Sequence, residues 1–73
     1  MPMYKNLGGN SNVKCYEIGD DYIDVVFYGT AKTYRYSYAS AGRHHVEQMK
    51  RLAEQGMGLN SYIMKNVRLL YER

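Results

Sequence analysis

Nucleophiles, carboxylates and histidines are the side chains that most often do chemistry, and in this chain their spacings are unpromising. The single cysteine, Cys15, sits in the run VKCYEI with no base beside it, and no serine has an identifiable His and Asp partner. An activated nucleophile is therefore not indicated. Four carboxylates, Glu17, Asp20, Asp21 and Asp24, cluster about a turn. Solvation rather than mutual tuning is expected there, and the spacing is not that of a calcium loop. His44 and His45 are adjacent, which on a helix turns them about 100° apart and excludes the i, i+4 chelation of one metal ion. Neither Gly8-Gly9 nor Gly56-Met57-Gly58 joins a strand to a helix with the lysine of a phosphate loop. These residues point away from an enzyme and to no cofactor or metal.

What remains is recognition. Residues 33–38 read TYRYSY, and the spacing of two puts Tyr34, Tyr36 and Tyr38 on one face of a strand. Such a face is either a platform on which bases stack or one wall of a core. The RNA-recognition pattern needs a glycine after its basic residue and a Gly or Ala between aromatics, and TYRYSY has neither. If helices cover the rings, RNA is left with basic side chains such as Arg35, Lys65 and Arg68, and binding would be electrostatic and steeply salt-dependent. A protein partner is the other reading. Met3, Tyr4, Lys5 and Leu7 near the start of the chain, with Arg43, Lys50 and Arg51, suit an acidic, partly apolar surface. The five methionines (Met1, Met3, Met49, Met57, Met64) add adaptability.

The elements that position these residues follow from periodicity. Residues 1–11, MPMYKNLGGNS, have no period and read as a flexible tail, with Tyr4 and Leu7 exposed. A single domain then spans 12–73. Residues 13–18 form a first strand, with a parity change that suggests a bulge, and Gly19-Asp20-Asp21 turns the chain. Residues 22–28 and 33–38 form two more strands. Pairing Tyr28 with Thr33 sets Phe27 against Tyr34, Val25 against Tyr36 and Ile23 against Tyr38, which gathers the large apolar groups on one face. The period then changes to 3.6. Residues 40–55 read as a helix capped by Ser40, with Val46, Met49, Leu52 and Ala53 inward and Gly56 just past its end. A shorter helix at 60–67 turns Tyr62, Ile63 and Val67 inward, and RLLYER is ambiguous. The fold class is α+β: a three-stranded antiparallel meander covered on one face by two C-terminal helices, β-β-β-α-α. The tyrosines are then core.

Composition agrees with a small binding domain. A chain of 73 residues buries about 60% of its unfolded surface, so its core is thin. The net charge of +3 is unevenly spread: the acids gather at 17–24, and the chain beyond residue 30 is basic, which suits nucleic acid or an acidic protein surface. A lone cysteine, no apolar leader and no long apolar run lead to the expectation of a cytoplasmic monomer without a membrane partner.

The strings SNV at 11–13, IDVVF at 23–27, TYRY at 33–36 and GLNSYIMKNVR at 58–68 resemble the KTSC domain. That module of lysyl-tRNA synthetase C-termini and small stand-alone proteins has a central Tyr-x-Tyr, matched by Tyr34 and Tyr36. Its later Gly, aromatic and Ile-Arg positions are matched loosely by Gly58, Tyr62, Val67 and Arg68. The resemblance covers 11–71 and departs at Ser40, where the family often has proline, and in the longer helix that follows. It implies the fold above and suggests RNA binding. In its free-standing form the chain also resembles a small phage-encoded transcription regulator of the host cell. That likeness implies docking on the large subunits of bacterial RNA polymerase, inhibited initiation and altered termination.

Overall fold

The computed structural model describes residues 1–9 and 11–73. Strands β1 (Val13–Ile18), β2 (Tyr22–Phe27) and β3 (Thr33–Ser37) form an antiparallel meander in the order β1-β2-β3. Helices α1 (Tyr38–Ala41), α2 (Arg43–Gln55) and α3 (Leu59–Tyr62) follow, and α3 runs on as a π-helical turn, Ile63–Val67. This is the expected α+β order, with each of the two helical regions in two pieces.

Alternation sorts the sheet into two faces. Ile23, Val25 and Tyr36 are buried on one, beneath Val46, Met49 and Ala53 of α2 and Leu59, Ile63 and Val67 of the last helix. The opposite face carries Asp24 and Arg35, which stand directly across from each other. Lys14 is the extra residue of a bulge between the pairs Val13–Phe27 and Cys15–Val26.

The β2–β3 register differs from the sequence expectation. Val26 faces Thr33, Val25 faces Tyr34 and Ile23 faces Tyr36. A slip of two residues leaves every side chain on its own face, so alternation cannot detect it. The slip lengthens the loop and removes Tyr38 from the sheet to begin α1. Ser37, not Ser40, is the N-cap: its Oγ accepts from the Ser40 amide at 3.1 Å, and Ser40 Oγ accepts from the Ser37 amide at 3.0 Å. This reciprocal capping box satisfies two otherwise orphaned donors. Gly42, at φ +95°, separates α1 from α2, a backbone state open chiefly to glycine.

The first residues are not a free tail. Around a Met3–Cys15 bridge, the Tyr4 amide donates to Lys14 O and the Tyr16 amide to Pro2 O, both at 3.0 Å. The Leu7 amide then donates to Gly56 O at 2.7 Å. Tyr4 is buried with the core, and its hydroxyl accepts from the Leu59 amide at 3.2 Å, capping α3. The physical reason is that β1 would otherwise present an unpaired edge, and this segment satisfies it while filling the gap above α3. A boundary after residue 11 therefore divides residues that share one core; Asn10 lies outside the described residues.

Candidate functional site

The aromatic residues of β3 build an open cleft with help from the end of the chain. Beyond Val67 the backbone turns, with the Leu70 amide donating to Val67 O at 2.8 Å. It then returns to β3, where the Glu72 amide donates to Arg35 O at 2.7 Å. That return sets Tyr71 edge-to-face against Tyr34 (centroids 4.8 Å apart, 89° between planes) and against Tyr36 (6.2 Å, 80°). Phe27 meets Tyr34 at 5.5 Å and 72°. Edge-to-face pairs align the positive rim of one ring with the negative face of the next.

Between this aromatic wall and the last helix lies a cleft of about 460 Å³, rimmed by Asn12, Tyr28, Asn60, Met64 and Arg68. The size falls in the range of ligand pockets. A second hollow of about 300 Å³ adjoins it, carries Ser61 and Lys65, and shares Asn60 and Met64 with the first. The two make a groove along the last helix, whose widened turn keeps Ile63 and Val67 buried. Cations surround it. Lys32 Nζ lies 4.9 Å from the Tyr34 centroid and 5.2 Å from that of Tyr71, and the Arg73 guanidinium lies 4.9 Å from Tyr71 on its own account. Burial, aided by neighbouring Tyr34 and Tyr71, pushes the Tyr36 hydroxyl up to about 12.

The three tyrosines of TYRYSY therefore have three different settings. Tyr36 is roofed as a core residue, 1% exposed. Tyr34 is half-buried and lines the cleft, and Tyr38 leaves the face altogether. Its hydroxyl donates to Glu47 Oε2 at 2.6 Å, which raises the Tyr38 pKa. Lys50 and Tyr38, both bonded to Glu47, lower that carboxyl's pKa.

The basic residues singled out for RNA are not equivalent. Lys65 and Arg68 lie along the groove. Arg35 stands on the other face of the sheet, where it forks onto Asp24 at 2.8 and 3.0 Å and stacks 3.8 Å from the Tyr22 centroid. Those bonds hold its pKa above the ordinary arginine value and occupy the fork that a phosphate would need.

The residues singled out for a protein partner do not form one patch either. Met3, Lys5 and Leu7 are exposed on the strap formed by residues 2–7, with Tyr4 buried beneath. Exposed Met57 directly follows Gly56, whose carbonyl holds the Leu7 amide, so the exposed side chains Met3, Lys5, Leu7 and Met57 sit on two joined segments, a ridge. Arg51 lies little more than one turn before Gly56 on α2, and its Nη2 donates to Gln48 Oε1. Arg43 is at the opposite end of α2, about 18 Å along the axis from the ridge. Lys50 is enclosed, donating to Asp20 O at 3.0 Å and pairing with Glu47 at 2.8 Å.

His44 is exposed, while His45 Nδ1 is 2.7 Å from the Tyr62 hydroxyl. Among the described residues no group of three His, Cys, Asp or Glu side chains is placed to hold a metal ion, and no helix is long and apolar enough to cross a membrane. Sequence reasoning missed Tyr71, Phe27 as a wall of the cleft, and Asn12 and Asn60 on its rim. The one available signal was an aromatic directly after a helix of apolar period, within the ambiguous RLLYER. The chain matches no protein-family model, no curated protein and no solved structure.

Proposed function

We propose that this chain is a non-enzymatic transcription regulator, phage-encoded and acting in the host cytoplasm, that docks as a monomer on the large subunits of bacterial RNA polymerase. The likeness to a small phage-encoded transcription regulator supplies the partner. The observation that carries a docking role is the ridge of Met3, Lys5, Leu7 and Met57, exposed yet held by main-chain hydrogen bonds to β1 and Gly56. A pre-ordered ridge gives up little conformational freedom on binding, so apolar anchors flanked by Lys5 and Arg51 suit an acidic, partly apolar surface. Inhibited initiation and altered termination are the expected consequences. Binding of purified bacterial RNA polymerase to the full chain tests this. Leu7→Asp with Met57→Asp should weaken it at least about ten-fold, and an unchanged affinity would remove the ridge from the mechanism.

A second reading is an RNA-binding accessory domain, favoured by the aromatic cleft with Arg68 and Lys65 beside it. A salt titration with RNA separates the two. Binding that persists at physiological salt supports this reading, and binding no tighter than generic polyanion attraction returns the case to the protein partner.

A further inference from the structure

We propose that the cleft between β3 and the last helix takes an unpaired nucleobase of single-stranded RNA, with the backbone of the strand running along the groove toward Lys65. The inference deepens the RNA-binding reading and rests on it, but it places the contact where charge alone would not. Three observations support it. The first is shape. The rings of Tyr34 and Tyr71 stand at 89° to one another beside a volume of about 460 Å³. A single planar ring can lie on one wall and meet the edge of the other, whereas a base held within a duplex cannot enter.

The second is charge. Lys32, Lys65, Arg68 and Arg73 stand around the groove, and Glu72 is the one acid in the returning segment. An anionic ligand is therefore favoured over a cationic one, although perpendicular tyrosines would otherwise suit an ammonium group. Lys32 already tests the ring faces: its ammonium lies over both. A base would take that face, and the ammonium would move onto the adjoining phosphate. The third is the rim. Asn12, Thr30 and Asn60 line the cleft and supply neutral donors and acceptors for base edges and a 2′-hydroxyl, the combination by which single-stranded RNA is read.

The test uses the full chain and a fluorescein-labelled ten-nucleotide uridine RNA, with binding followed by anisotropy at physiological salt. Tyr71→Ala should weaken binding about five-fold or more, the usual cost of one lost stacking partner. Met64→Glu, at an exposed cleft position, should do the same without disturbing the core. Tyr71→Phe should retain affinity, and Arg51→Ala on α2, which removes the same charge as Arg68→Ala, should have the smaller effect of that pair. If Arg51→Ala weakens binding as much as Tyr71→Ala and Met64→Glu do, attraction is by net charge. The cleft assignment then fails while the RNA-binding reading survives. If the wild-type chain binds no RNA above polyanion background, both fail. Equal or tighter binding of the matching DNA overturns the assignment to RNA.

Discussion

At the β1 edge of the sheet, residues 2–4 add two main-chain hydrogen bonds and a buried ring, Tyr4, whose hydroxyl caps a helix. At the β3 edge, the chain end adds one, from Glu72 to Arg35, and a half-buried ring, Tyr71. The two edges pose the same physical problem, a row of unpaired backbone groups. The first solution is tight and leaves only side chains to meet a partner. The second is loose and leaves a hollow between ring and helix. The comparison separates a ridge that presents from a cleft that receives, and each of the two functional readings falls on one of them.

The largest expected effect tests the tightness of the first edge. Tyr4→Ala removes a buried ring and a helix cap, and should cost about 3–5 kcal/mol in urea unfolding. Tyr71→Ala should cost about 1–2 kcal/mol, because its ring is only partly covered. Equal losses would erase the asymmetry. For the same reason, deleting residues 1–8 should lower stability, so point changes on the ridge are the cleaner probe of polymerase binding.

Next is Gly56, which holds φ +79° where a Cβ would stand 2.7 Å from Lys5 Cβ. Gly56→Ala should cost about 1–2 kcal/mol by calorimetry, through strain and through displacement of the strap. Amide exchange at Leu7, bonded to Gly56 O, should quicken in parallel, and unaltered exchange would mean that the strap is held elsewhere.

The smallest effect at neutral pH belongs to Tyr36. Its folded pKa, pushed up to about 12, lies above the ordinary value of 10.0, so the folded state holds the phenolic proton more tightly than the unfolded chain. The corresponding stabilisation is complete below about 10 and is lost as pH rises through about 12. Alkaline unfolding followed by tyrosinate absorbance should therefore be shallower in Tyr36→Phe. Identical profiles would mean that Tyr36 is not roofed as described.

Most of the fold was legible because binary patterning speaks for faces: Ile23 and Val25 in the sheet and Val46, Met49 and Ala53 in α2 are buried where their spacing put them. Three things were not legible, each for a reason. Register escaped because a two-residue slip conserves parity. The strap escaped because Tyr4 and Leu7 show no period, and main-chain pairing to an edge leaves no mark on side-chain order. The cleft escaped because it joins residues distant in sequence, Phe27, Tyr34 and Tyr71, through a return that only the whole packing determines. Of the candidate residues, Arg68 stands beside the aromatics and Lys65 in the adjoining hollow, while Arg35 and Lys50 are engaged in ion pairs of their own.

That engagement of Arg35 has a role in choosing between alignments. Because hydrophobic alternation is satisfied equally well two residues along, something else must tell β3 where to stop. The guanidinium of Arg35 finds a carboxylate opposite it only when it stands across from Asp24; two steps away it would face Val26, with Asp24 shielded and unneutralised. A single charged couple on the solvent side thus works as an index mark for the hairpin, and the shape of the aromatic hollow on the reverse side is inherited from it.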